Sequence, residues 1–312
     1  LVKKINKMVA SFSHCPVMLK QCLQALQASS DKKYIDCNLG AGGHSEGILK
    51  TGGMVLGIDA DEKALLQAKI RLAFFKDKTV FINDNFVNLY QIAVQKGFDQ
   101  ADGILFDLGL SSMQLDEGSG GFSFKVEAKL DMRYGSSSGE QTAEHIINTY
   151  SQSELADILY KYGDEPRAKV IAKAIVMQRP FYSTVQLAKV IAQASCYRGG
   201  KIHPATRSFQ ALRIYVNNEL ENLYVALTAA VKLLKQGGRL TVLSYHSLED
   251  RVVKQVMAYE SAACICPSEL PVCTCNKIKT VKVLPKVLPD EQEIKANPRS
   301  RSAKLRVCEK LV

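Results

Sequence analysis

The sequence predicts an α/β fold: a Rossmann-like parallel sheet domain interrupted by an all-helical insertion. Three observations carry this. Short apolar or β-branched runs at 34–39, 54–59, 79–83 and 102–107 alternate with segments of helical spacing. Repeated β-α units of this kind imply a parallel sheet with helices on both faces. The first run enters a glycine turn, Asn38-Leu39-Gly40-Ala41-Gly42-Gly43-His44, and the second ends in an acid, Asp59, 19 residues after Gly40. The alternation then stops near residue 115, and only helical patterns follow until about residue 237.

Taken in order, an early helix is expected over about 17–27, after His14-Cys15-Pro16, because proline suits a helix start. Ala64–Leu72 and Leu89–Gln95 carry helical spacing between the strands. Gln114–Gly139 is rich in Gly and Ser and reads as loop. Ser151-x-x-Glu154 is a capping box, Leu155, Ile158, Leu159 and Tyr162 form one apolar face, and Gly163 suits the stop. Arg167–Met177 and Val185–Ala194 are similar. Phe209, Leu212, Val216, Leu220, Leu223, Leu227, Val231 and Leu234 then make one continuous stripe, expected as a single helix capped by Thr206 and ended by Gly237-Gly238. Arg239–Ser244 reads as a strand, Leu248–Met257 as a helix, 262–298 as a loose excursion, and Ala303–Cys308 as a last strand. The sheet domain is therefore expected at 14–115 and 216–312, around a helical domain at 116–215.

Glycines after the first strand let the backbone close on a nucleotide, and an acid ending the second can accept hydrogens from both ribose hydroxyls. A dinucleotide fingerprint would need glycine at position 45, where Ser45 stands, so an NAD-dependent oxidoreductase is disfavoured. Asp36, four residues before Gly40, fits the pattern of S-adenosylmethionine (SAM) methyltransferases. Asp107-Leu108-Gly109-Leu110-Ser111-Ser112 follows the fourth strand, where enzymes that methylate an exocyclic amine place polar acceptors. An acceptor bonding the amine N–H would localise its lone pair and aim it at the sulfonium methyl. Many amino-methyltransferases use Asp/Asn-Pro-Pro-aromatic there, so this chain departs from that geometry. Asp107, Ser111 and His246 are the catalytic candidates. Tyr245 could stack a base, and Ser247 could cap the following helix. Arg207 and Arg213, six apart at a helix start, suit phosphate.

The 312 residues exceed one typical domain, and 46% hydrophobic content is ample for a core. No apolar run approaches a membrane span, and the first 13 residues lack the apolar region of a secretory signal. Net charge is +10, of which Asn276–Val312, with Arg299 and Arg301, supplies +6. A localised basic excess favours a polyanion, nucleic acid above all. Nine cysteines without a secretion signal point to reduced thiols. Cys264, Cys266, Cys273 and Cys275 form two C-x-C pairs. Four thiolates could hold zinc, although structural sites usually use C-x2-C, and unliganded thiols are the default reading.

Together the segments closely resemble the RsmH (MraW) family of small-subunit rRNA (cytosine-N4)-methyltransferases. The matching residues include His14-x-Pro16-Val17-Met18-Leu19, Gly40-x-Gly42-Gly43-His44-Ser45, Asp107-Leu108-Gly109-x-Ser111-Ser112-x-Gln114-Leu115-Asp116 and Gly121-Phe122-Ser123-Phe124. Further on they include Tyr162-Gly163-x-Glu165, His203-Pro204-Ala205-Thr206-Arg207-x-Phe209-Gln210-Ala211-x-Arg213, His246-Ser247-Leu248-Glu249-Asp250-Arg251 and Asn297-Pro298-Arg299-Ser300-Arg301-Ser302. The resemblance implies a class I SAM-dependent methyltransferase domain with an inserted substrate-recognition domain. It implies methylation of N4 on a decoding-region (P-site) cytidine of 16S-type rRNA within the small ribosomal subunit. SAM contacts would come from Gly40, Gly42, Gly43, His44, Asp59, Phe86, Asp107 and Gln114. A bacterial-type cytoplasmic location is expected, with an organellar matrix as the alternative. The oligomeric state is open, a homodimer being one option. The competing function is a non-catalytic RNA-binding ribosome assembly factor with a vestigial pocket. The intact glycine loop and the two acids, Asp59 and Asp107, speak against it.

Overall fold

A computed structural model describes residues 16–109, 120–134, 141–196, 203–267, 270 and 272–312. The chain divides into two units, Leu1–Gly109 with Glu221–Val312, and Leu110–Leu220.

The first unit is built on seven strands: β1 (Lys33–Asp36), β2 (Met54–Asp59), β3 (Thr79–Asn83), β4 (Ala101–Asp107), β5 (Leu234–Ser244), β6 (Val281–Val283) and β7 (Lys304–Lys310). Their order is β3-β2-β1-β4-β5-β7-β6. β1 to β5 are parallel, and β7 runs antiparallel to both β5 and β6. The inner strands are covered on both faces, so they read as unbroken apolar runs: Val55, Leu56 and Ile58 in β2, and Ile104, Leu105 and Phe106 in β4, are buried. Helix α1 (Leu19–Leu26) precedes β1, and α2 (Gly43–Lys50), α3 (Glu62–Arg71) and α4 (Leu89–Gln95) connect the first four strands. α2 follows the glycine turn directly and has no long apolar stripe, which is why periodicity did not reveal it. The core joins Met18, Cys22 and Leu26 of the N-terminal segment to Tyr34, Leu105, Leu243 and Leu305 of the sheet.

The second unit has a core of its own. Helices α5 (Ala143–Thr149), α6 (Gln152–Gly163), α7 (Ala168–Met177), α8 (Thr184–Ala194) and α9 (Ala205–Val216) bury Ile147, Leu155, Ile171, Ile175, Leu187 and Leu212 together. The Ser151–Glu154 capping box is present. Gly163 is the last helical residue rather than the left-handed stop, which is Asp164. Its glycine is required by close packing: a Cβ there would lie 2.7 Å from the Arg207 carbonyl oxygen.

The stripe from Phe209 to Leu234 is two helices, not one. α9 ends at Val216, and α10 spans Glu219–Leu233. Asn218 adopts φ 50°. Beside it the buried Asn217 donates to the carbonyls of Met132 (2.7 Å) and Arg213 (2.8 Å) and accepts from the Tyr134 amide (3.0 Å). A side chain that satisfies backbone groups from another segment outcompetes the next helical turn. Thr206 is not the cap: α9 starts at Ala205, whose amide donates to His203 Nδ1 (3.2 Å). Gly237 and Gly238 do not end a helix either. They lie inside β5, at a register irregularity against Ala101–Gly103, with Gly237 at φ 77°.

After β5 come α11 (Ser247–Ser261) and α12 (Glu291–Ala296). The excursion expected over 262–298 therefore contains β6 and a short helix. Among the described residues no helix is long and apolar enough to cross a membrane.

Candidate active site

The parallel register aligns the carboxyl ends of β1, β2, β4 and β5 along one edge of the sheet, the usual ligand edge of such folds. Their last residues are Asp36, Asp59, Asp107 and Ser244. Three carboxyl groups thus stand side by side, and local structure gives each a different environment.

Between β1 and α2 the chain turns through Gly40 (φ 52°) and Gly42 (φ 78°), conformations that favour glycine. At Gly43 the need is room: a Cβ would lie 2.3 Å from Pro16 Cγ. The turn delivers the N-terminus of α2, whose first amides have no partner within the helix and suit an anionic group. Asp59 ties this turn to β2. Its Oδ2 accepts from the Gly40 amide (2.7 Å) and its Oδ1 from the Asp61 amide (2.8 Å). Burial pushes the Asp59 carboxyl up to about 6, against the pull of those two amides. Each oxygen keeps lone-pair capacity for a hydroxyl donor.

Asp36 is fully enclosed and accepts from Ser45 Oγ (2.7 Å) and the Asn38 amide (3.3 Å). Burial raises its pKa, with Ser45 opposing. This carboxyl is a strut under the turn. In the sequence it served only as a spacing marker, and Ser45 was read as a missing glycine.

Asp107 sits between two partners. Tyr245 Oη donates to its Oδ1 (2.6 Å), and His44 Nδ1 lies 3.5 Å from its Oδ2. His44 is buried, and its Nε2 is 3.0 Å from the Val17 carbonyl oxygen. A carbonyl only accepts, so Nε2 carries hydrogen. Burial, then Asp107, raises the Tyr245 pKa far above its usual value, so the phenol holds its proton. Asp107 is therefore a fixed acceptor, braced from β5 and α2.

A family model described as the MraW methylase family matches residues 11–311. The chain belongs to the MraW methylase family. It is an S-adenosylmethionine-dependent methyltransferase, and the non-catalytic reading is not favoured. Ribosomal RNA small subunit methyltransferase H of Dehalococcoides mccartyi is 50% identical over 309 residues, covering 97% of this chain and 88% of the relative. The protein of the same name from Thermomicrobium roseum is 47% identical over 309 residues, covering 96% and 94%. A solved rRNA methylase from Streptococcus thermophilus is a distant likeness, 13% identical with a TM-score of 0.41, covering 94% of each chain.

The methylase places the other predicted residues unevenly. Phe86 is half-buried in a short turn, edge-on to Phe106 with ring centroids 5.8 Å apart. Both ring nitrogens of His44 face protein oxygens, so the imidazole is a brace within the fold. Ser111 and Gln114 lie outside the described residues. His246, not Ser247, caps α11: its Nδ1 accepts from the Glu249 amide (3.4 Å), and Glu249 Oε2 accepts from the amides of Tyr245 (2.9 Å) and His246 (3.3 Å). The signal was present as a capping box with His in the Ser position. His246 Nε2 is 3.1 Å from Glu249 Oε1 but makes no hydrogen bond to it or to any other described residue.

Two of the residues expected to meet RNA also have partners within the protein. Tyr245 turns its hydroxyl to Asp107, and its ring packs on Gly109, where a Cβ would come within 3.2 Å. Arg213 forms a bidentate pair with Glu219 (2.8 and 2.9 Å) inside the helical unit. Its guanidinium is already spent on a carboxylate. Arg207, Arg299 and Arg301 are exposed. Within the basic C-terminal segment, Arg306 and Lys304 are turned onto the buried Asp250. Cys264, Cys266, Cys273 and Cys275 lie together in the segment between α11 and β6.

Proposed function

We propose that the methylase transfers the SAM methyl group to the exocyclic N4 amine of a decoding-region cytidine in small-subunit 16S-type rRNA, with the assembled subunit as substrate. The observation that carries this is the row of strand-end carboxyls, in which Asp107 is a braced acceptor next to the glycine turn.

In this reading the turn at 40–43 and the first amides of α2 hold the amino-acid end of SAM. Asp59 would take the ribose hydroxyls and Phe86 would flank the adenine, and the family resemblance adds Gln114 as a further SAM contact. The exocyclic amine of cytosine is a poor nucleophile because its lone pair is shared with the ring. Asp107 accepts one amine N–H, localises that pair, and takes up positive charge as the methyl moves. Transfer is an in-line displacement that needs no covalent enzyme intermediate, so positioning supplies most of the acceleration. The cytosine must leave its stack to reach such a site. The helical unit, with Arg207, and the exposed Arg299 and Arg301 serve the RNA backbone.

The test is methylation of small subunits from cells lacking this gene, followed by mass spectrometry of the nucleosides. N4-methylcytidine at one position is the expected product. Methyl transfer to any other nucleoside, or to free rRNA in preference to the subunit, would overturn the corresponding part of the proposal.

A further inference from the structure

We propose that the two C-x-C arms between α11 and β6 form a structural zinc site with Cys264, Cys266, Cys273 and Cys275 as its four ligands. In an extended arm, residues two apart point to the same side, so each C-x-C delivers two thiols to one place. The structure brings the two arms face to face. The Sγ–Sγ separations are 3.4 Å for Cys264–Cys273, 3.5 Å for Cys273–Cys275, 3.8 Å for Cys264–Cys275 and 4.0 Å for Cys266–Cys273. All four sulfurs lie within 4.8 Å of one another. A tetrahedral ion with zinc–sulfur bonds of about 2.3 Å sets its ligands about 3.8 Å apart. The observed distances bracket that value. They exceed a disulfide bond of about 2.05 Å. A multi-iron cluster, whose thiolates bind different irons, would hold them wider.

The surroundings fit the same reading. Backbone amides point at three of the sulfurs: Cys266 to Cys264 (3.4 Å), Thr274 to Cys266 (3.4 Å) and Ile265 to Cys275 (3.5 Å). Such N–H donors stabilise sulfur in its charged, metal-binding form. Among its described residues the segment has no core of its own. No described residue of 262–280 is buried, while Ile265, Val272 and Ile278 are exposed. Its base is fixed, because Thr280 donates to the Glu260 carbonyl (2.9 Å) and Lys277 Nζ sits 4.5 Å from the Tyr259 ring centroid. A small loop without a core needs a staple, and four converging thiolates are one.

The experiment is elemental analysis of untagged protein purified without chelator, beside the Cys264→Ser/Cys273→Ser double variant. About one zinc per chain is expected in the wild type and less than about a tenth in the variant, with SAM affinity unchanged as the folding control. Cobalt substitution should give the ligand-field spectrum of tetrahedral tetrathiolate coordination. Removing zinc should open 262–280 to limited proteolysis. A folded protein that neither carries nor takes up zinc would overturn the proposal. So would iron in its place, a Cys264–Cys273 disulfide by intact mass, or full zinc retention in the variant.

Discussion

With Asp59 in its proposed ribose role, its raised pKa should make SAM binding sensitive to acid. Only the ionised carboxylate offers acceptors to both ribose hydroxyls while holding the Gly40 and Asp61 amides. With a pKa of about 6, the ionised share is about 90% at pH 7 and about 9% at pH 5. If only that form binds, the apparent Kd rises about tenfold between those values, or about 1.4 kcal/mol. Calorimetric titration with SAM across this range measures it, since the donor's own α-ammonium stays charged there. Asp59→Asn keeps the shape, loses the charge, and turns an NH2 toward one of the two amides. Its affinity at pH 7 should fall by roughly 10- to 100-fold, from the loss of about 1.5–3 kcal/mol per hydrogen bond to a charged group, and its profile should be flat. In the unliganded protein the sign reverses. A carboxyl with a raised folded-state pKa binds more protons folded than unfolded, so its favourable contribution is complete below the ordinary value of 3.8 and is lost as pH rises through about 6. A flat wild-type binding profile, or the same slope in the variant, would refute the ribose role.

Other outcomes follow from the remaining contacts. Tyr245→Phe removes the donor to Asp107 and should lower the methyl-transfer rate about tenfold or more, with SAM affinity within about twofold; single-turnover rates and calorimetry separate the two. Asp107→Ala should likewise cut transfer more than SAM affinity, and equal losses would make it a cofactor ligand alone. Gly43→Ala forces a methyl group against Pro16 and should cost about 1–3 kcal/mol of stability by denaturant titration. Arg213→Ala takes the charged partner from Glu219, leaving the Tyr134 hydroxyl, and should destabilise the protein by about 1–3 kcal/mol without altering the salt dependence of subunit binding, whereas Arg207→Ala should reduce that salt slope by about one with little effect on stability.

The sheet could be read from the sequence because its strands are short apolar runs with few competing patterns. β2 and β3 have the expected limits, and β1 ends early only because Cys37–Gly42 form the turn. The acids Asp59 and Asp107 were legible for the same reason: each ends a recognisable strand. What periodicity could not show depends on partners distant in sequence. Asn217 breaks a convincing stripe because Met132 and Tyr134 supply it with backbone groups some 85 and 83 residues away. The partner of the Tyr245 hydroxyl, Asp107, lies 138 residues earlier. Arg213 finds its carboxylate partner, Glu219, only because the helix breaks between them. Polar side chains are decided by tertiary pairing, and a linear pattern does not contain it.

The position of β7 bears on how the molecule is made. It lies between β5 and β6, yet it is synthesised after both. Until Lys304–Lys310 emerges, a nascent chain already carrying both units has an open β5 edge. Its Asp250 is enclosed without Arg306 and Lys304, and Arg239 without Glu309. Stalled or truncated translation products would thus present an aggregation-prone edge and uncompensated charge, the marks that proteases and chaperones act on. The inserted strand ties possession of a finished sheet to synthesis through Lys310.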